Sequence, residues 1–380
     1  MYGLYIHYPY CVHKCSYCDF YSIENLNSRN KFSDMLCREI KLKSEEHGRK
    51  IKADTLFFGG GTPSLMKPHH IEPVMKSLRE FADFDSAIEI TMECNPGTID
   101  IKYLEFYKEL GVNRISFGVQ SFHEKDLKFL ERIHSPSDVG KAVDAARSCG
   151  FENISIDLMF ALPDQTKEEW AYNLNEAVSL DVKHISAYSL IYEPGTPLYD
   201  EYISGKVKAQ NEDNDVELYE ITDKILSAAG FEQYEVSNYA KPGFKCKHNL
   251  KYWSCGEYFG FGPSAHSYEN GRRYWNYRDN DIYFAKIAQN QAPEESGETL
   301  SRKQMLFEKL YLGLRAEGVN LEEFKESGVD FTSGKSDFLL EMSDCNYLIF
   351  DENKIKLTNK GYFIGDKITL ELSESIDDIC

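Results

Sequence analysis

The sequence predicts an α/β protein: a partial (β/α)6 barrel, then an aromatic-rich extension, then a small C-terminal domain resembling a winged helix. Three observations lead there. Short apolar runs alternate with amphipathic stretches through the first half of the chain, as in a parallel sheet covered by helices. The polar and glycine-rich motifs fall at the ends of those apolar runs, where such folds place their chemistry. The alternation stops after Gly195, and a charged, helical pattern begins near Leu300.

The elements follow in order. GLYIHYP reads as the first strand, with a cysteine loop and a helix over about 29–45 behind it. TLFFGGGTP is a buried strand ending in a glycine turn, followed by a helix after Pro68. AIEITMECNPG, RISFGVQ, NISIDLMFALP and HISAYSLIY are the remaining strands. Their helices are expected near 100–110, in two segments over 124–149, and over 166–180. Residues 211–229 look helical, whereas 231–279 is dense in aromatics, Gly and His without a clear period. LIFDENKIKLTNKGYFIGDKITLEL reads as a wing-like hairpin and helix. The expected domains are 1–195, 196–295 carrying HNLKYW, and 296–380, with the polar QAPEESGE at the last boundary.

Composition bounds the function. The chain has 380 residues and a formal charge of -19, which opposes general nucleic-acid binding because phosphate neutralisation needs the other sign. No apolar run approaches the roughly 20 residues of a membrane span, and MYGLYIHYPY reads as no signal peptide, so a cytoplasmic location is expected. The cysteine count is 10, which in such a chain suggests ligands and buried thiols before disulfides. Cys37, Cys94, Cys149, Cys345 and Cys380 are scattered and read as packing or surface residues.

Cys11, Cys15 and Cys18 form C-x3-C-x2-C. Thiolate trios bind soft metals. A structural zinc would need His7 or His13 as a fourth ligand. An iron–sulfur cubane held by three cysteines instead keeps one iron open for a small chelating molecule. GGGTP lets the backbone approach a ligand closely.

With GGGTP in its place after the second strand, the cysteine run resembles the radical SAM superfamily. The resemblance implies a 4Fe–4S cluster on Cys11, Cys15 and Cys18, chelating S-adenosylmethionine and able to cleave it to methionine and a 5′-deoxyadenosyl radical. Along the chain the match is to its coproporphyrinogen III oxidase-like family. That implies S-adenosylmethionine contacts at Tyr5, Tyr17, Gly60, Gly61, Thr62, Glu93, Gln120, Arg132, Asp157 and Ile191. The residue types suit it: Arg132 can pair a carboxylate, and Glu93 or Asp157 can take an ammonium or ribose hydroxyls.

Two departures separate the chain from the oxidase itself. Phe20 stands where the oxidase has a further cysteine, and no N-terminal extension is expected before the loop. HNLKYW at 248–253 is similar to the H-N-x-x-Y-W signature of the HemW-type heme chaperone branch. The resemblance therefore implies heme binding at His248, Asn249, Tyr252 and Trp253, with heme passed to hemoproteins such as membrane respiratory enzymes. It also implies an electron donor for the cluster and allows a homodimer. The imidazole suits iron and the aromatic faces suit a macrocycle. Lys245, Lys247, Lys251, Arg272 and Arg273 are candidates for the propionates, and Cys246 and His266 are rival iron ligands. Cys255 brackets the motif on its other side. The alternative readings are a radical SAM enzyme acting on a tetrapyrrole, as the oxygen-independent oxidase does, and a zinc-stabilised binding module. The departures weigh against oxidase activity.

Overall fold

The computed structural model describes residues 1–377; Cys380 lies outside the described residues. Six parallel strands lie side by side in chain order: β1 (Tyr2–Tyr8), β2 (Ile51–Gly60), β3 (Ala82–Cys94), β4 (Arg114–Gln120), β5 (Asn153–Phe160) and β6 (His184–Ser189). Parallel neighbours need crossover connections, and these are helical. They carry α1 (Arg29–His47), α2 (Pro68–Phe81), α3 (Ile101–Glu109), α4 (Glu124–Phe129), α5 (Pro136–Ser148) and α6 (Lys167–Ser179). The helix starts follow local chemistry. Thr166 and Glu169 form a reciprocal cap on α6, and Pro68 opens α2, where its missing N–H costs nothing. Ile71, Val74, Met75, Leu78 and Phe81 make one buried stripe of α2.

Residues 196–299 hold α7 (Pro197–Ile203), α8 (Glu212–Ala228), β7 (Glu232–Gln233), β8 (Asn238–Ala240), α9 (Lys247–Trp253), β9 (Tyr258–Phe261), β10 (His266–Glu269), β11 (Arg272–Asn276), α10 (Asn280–Ala288) and β12 (Glu294–Thr299). These strands prolong the sheet at both edges. β9 adds parallel to β1, with β10, β11 and β12 antiparallel beyond it, while β8 and β7 add antiparallel beyond β6. The result is one 12-stranded sheet, with β12 crossing the expected boundary at 295. Phe259 and Phe261 pack edge-on against Phe81, so the extension shares the core of the six-stranded unit. The 231–279 segment shows no period in sequence because its strands have two to five residues, too few for an alternation to emerge.

The C-terminal part comprises α11 (Arg302–Leu314), β13 (Val319–Asn320), α12 (Leu321–Glu326), α13 (Phe331–Gly334), α14 (Ser336–Asp344), β14 (Leu348–Phe350), β15 (Lys354–Leu357) and α15 (Gly365–Asp377). Its three-stranded antiparallel sheet runs β13-β15-β14. Leu310, Phe324, Leu339, Ile355 and Leu372 belong to a separate core there.

Candidate functional site

The cysteine loop leaves β1 and returns along itself, Cys11 N–H donating to the Ile23 carbonyl (3.1 Å) and Ile23 N–H to Pro9 (2.7 Å). Cys11 and Cys15 are buried and Cys18 is half-buried. The glycine turn lies directly against this loop. Gly61 N–H donates to the Tyr8 carbonyl and Thr62 N–H to Tyr10, both at 2.8 Å. A Cβ on Gly61 would stand 2.7 Å from the Tyr10 oxygen and 3.0 Å from Cys11 Sγ, so only glycine fits without displacement. Thr62 Oγ1 donates to Cys11 Sγ (3.5 Å) and Arg132 Nη1 to Cys15 Sγ (3.6 Å). The Thr62 hydroxyl favours the Cys11 thiolate that a cluster needs, against the burial that raises this thiol's pKa. Among the described residues no three His, Cys, Asp or Glu side chains converge as ligands of a single metal ion would. A cubane, whose irons are held by separate thiolates, does not ask for that convergence. The histidines considered for a zinc are engaged elsewhere: His7 Nε2 with the Tyr21 carbonyl (2.8 Å), His13 with Glu24 (3.1 Å) and Glu131 (3.4 Å). A 4Fe–4S cluster in this loop would supply an open iron for S-adenosylmethionine and a one-electron reductant.

The strand ends beside the loop hold a ring of polar groups. Glu93, at the end of β3, accepts from Gly60 N–H (3.2 Å); burial, reinforced by the Asp157 carboxylate, pushes its pKa up to about 8. Asp157 on β5 accepts from Ser186 Oγ (2.7 Å) and Ser116 Oγ (3.2 Å); burial raises its pKa against the pull of Ser186 and Arg114. Two half-buried carboxyls of this kind suit an ammonium or a pair of hydroxyls. Gln120 ends β4 in the left-handed region (φ 66°), re-aiming its side chain. Arg132 donates to the Gly118 carbonyl (2.6 Å) and keeps a buried Nε with no partner among the described residues, a free donor for a carboxylate. Tyr17 is half-buried beside Arg132 and packs against the cluster of Leu130, Met159 and Leu190. Tyr5 bonds His7 Nδ1 (3.2 Å) and stacks with Phe57. Ile191 stands apart, two residues past β6 and 64% exposed.

HNLKYW folds as α9, which packs onto the sheet. Its signature residues divide. Asn249, Tyr252 and Trp253 line a cleft of about 800 Å3, near the upper end of the usual 300–1,000 Å3 for ligand clefts. His248 does not line it. The ring is buried, Nδ1 bonded to Thr55 Oγ1 and Nε2 to the Tyr252 hydroxyl, both at 2.8 Å, and stacked on Phe57 at 5.2 Å. Burial holds its pKa down at about 3. In this conformation neither nitrogen is free for iron. Cys246, its expected rival, is also buried and lies against Glu89.

The lysines beside the motif do not reach the cleft either. Lys245 pairs with Glu317 (2.8 Å), Lys251 with Asp54 (2.9 Å), and Lys247 donates to the Ala87 carbonyl (3.0 Å). Arg272 is taken by Glu294. The cationic side chains on the cleft wall are Arg273 and Arg278, each also paired to carboxylates. Aromatic side chains, Phe20, Tyr188, Tyr258 and Tyr268 among them, share the wall with the carboxylates Asp19, Glu235 and Glu308, and Phe20 is 65% exposed.

One residue that governs the motif is not evident from sequence. Glu89, buried in β3, accepts the N–H groups of Lys247 and His248, both at 3.1 Å. It acts as an N-terminal cap for α9 from a strand 158 positions away in sequence. Its sequence signal is one of two glutamates in the strand AIEITMEC, with nothing nearby to mark it as a cap.

Comparison with known proteins agrees with this arrangement. The Radical SAM superfamily profile matches residues 5–177, and the HemN C-terminal domain profile matches residues 300–364. The fold is similar to that of coproporphyrinogen III oxidase (HemN) from Escherichia coli, at TM-score 0.83 and 22% identity, covering 99% of this chain and 89% of that one. The heme chaperone HemW of Bacillus subtilis (strain 168) is 35% identical over 97% of this chain and 98% of its own length. That of Escherichia coli (strain K12) is 40% identical over 70% of this chain and 69% of its own. Identity of that level, sustained from the cysteine loop to the C-terminal domain, means that the chain belongs to the HemW family of the radical SAM superfamily.

Proposed function

We propose that this protein is a heme chaperone: it binds heme in the aromatic cleft and delivers it to hemoproteins. The observation that carries the reading is the cleft itself. Flat aromatic walls, two arginines for propionates and three residues of the HNLKYW helix meet there, and its lining reaches Tyr5 and His7 on β1, beside the cysteine loop. Cys11, Cys15 and Cys18 hold a 4Fe–4S cluster in this reading. Tyr5, Tyr17, Gly60, Gly61, Thr62, Glu93, Gln120, Arg132, Asp157 and Ile191 form the S-adenosylmethionine set. The cluster and its ligand tune loading or release rather than porphyrinogen decarboxylation; at 22% identity the oxidase likeness speaks for the fold alone. Among the described residues no helix is long and apolar enough to cross a membrane. Delivery from the cytoplasm to respiratory enzymes would then run through protein contact.

Hemin titration into the full-length protein tests this. Saturable binding near one heme per chain, with a shifted Soret band, is the expected result. No saturable shift, or turnover of coproporphyrinogen III with release of 5′-deoxyadenosine, would sink it.

A further inference from the structure

A heme cleft needs a side chain that meets the iron, and the signature histidine faces away from it. His248 spends both ring nitrogens on Thr55 and Tyr252. His7, on the cleft wall, is likewise bonded at both nitrogens, to the Tyr21 carbonyl and the Tyr5 hydroxyl. Cys255 also reaches the wall, but burial raises its thiol to about 11, so it stays protonated at neutral pH and is a weak ligand.

His266 is different. It opens β10, is exposed to the cleft, and neither ring nitrogen has a hydrogen-bond partner among the described residues. Its ring is fixed all the same, stacked on Trp275 at 5.7 Å and 27° across the β10–β11 ladder. Strand alternation puts Tyr268 on the same face. Tyr268 lies opposite Tyr258 across the sheet, and Tyr258 packs edge-on against Tyr252 at 4.7 Å. One continuous wall therefore runs from the HNLKYW helix through two tyrosines to a preoriented imidazole. Burial, with Arg273 and Arg278 nearby, keeps that imidazole below its usual pKa and so neutral, the form that ligates iron.

We infer that His266 supplies the axial imidazole to heme bound in this cleft, while His248 is a positioning residue that holds Tyr252 in the wall. The inference rests on the heme reading above, and the experiment separates the two. Hemin is titrated into wild type, His266→Ala, His266→Gln and His248→Ala, each checked for native circular dichroism. Soret position, magnetic circular dichroism and affinity are recorded. Both His266 variants lose the imidazole-ligated spectrum and about tenfold or more in affinity (about 1.4 kcal/mol). Free imidazole restores the spectrum of His266→Ala. His248→Ala binds more weakly but keeps the imidazole-ligated spectrum. A wild-type spectrum in both His266 variants, or loss of imidazole ligation in His248→Ala alone, overturns the assignment. Absence of any Soret shift in wild type overturns the heme reading with it.

Discussion

Gly61→Ala is the sharpest probe of how the glycine turn serves the cysteine loop. The new methyl would sit 2.7 Å from the Tyr10 carbonyl oxygen and 3.0 Å from Cys11 Sγ. The nearer target is backbone and cannot swing aside. The backbone at Gly61 is not left-handed, so the penalty is contact alone. Overpacking of this kind costs about 1–3 kcal/mol. If the strain is relieved by parting the two segments, the Gly61–Tyr8 and Thr62–Tyr10 hydrogen bonds weaken, at about 0.5–1.5 kcal/mol each. A total of about 2–6 kcal/mol follows, focused on the loop. Gly140 supplies the control: it lies within α5 and a Cβ there meets nothing within 4 Å, so Gly140→Ala is expected to stabilise by about 0.5–1 kcal/mol. Urea unfolding of the apoprotein reads the stability. Iron and sulfide per chain after anaerobic reconstitution read the site. Gly61→Ala should lower both, and Gly140→Ala should raise the first and leave the second. Wild-type values for Gly61→Ala would show that the turn and the loop are not in the tight register described.

Other outcomes are equally specific. Cys15→Ser should abolish the iron–sulfur absorption near 400 nm while leaving most hemin binding, since Cys15 lies outside the aromatic cleft; equal loss of both would mean one shared site. Glu89→Ala removes two charge-assisted bonds to the start of α9, each worth about 1.5–3 kcal/mol. It should destabilise the protein and weaken hemin binding together, and unchanged affinity would separate α9 from the cleft. Glu93 has a folded pKa of about 8 against an ordinary 4.5, so in the apoprotein it keeps its proton when the unfolded chain has lost it. Its contribution therefore falls as pH rises from about 4.5 to 8 and is constant outside that window. Glu93→Gln should flatten the pH dependence of the urea midpoint in that window; an unchanged slope would place the proton elsewhere.

The β/α rhythm of residues 1–195 and the positions of the motifs at strand ends were legible in the sequence, and the strands and helices fall close to where the apolar periods put them. The extension was not. Its role as a prolongation of the same sheet depends on β9 finding the free edge of β1, a pairing with no local signature. Phe20 reads in sequence only as a departure from the oxidase pattern, whereas the structure makes it part of the cleft wall.

The sequence by itself determined the cysteine spacing, the glycine turn that must lie close to something, and the family. These are short-range properties, set by which residues stand a few positions apart. Tertiary structure alone decided that His248 is buried while His266 is presented, and that Glu89 caps a helix far along the chain. The reason is physical: whether an imidazole meets solvent, a ligand or a threonine hydroxyl is fixed by packing between distant elements, and although Tyr252 lies one helical turn from His248, no local pattern around HNLKYW encodes that Thr55, 193 positions away, will take the other nitrogen.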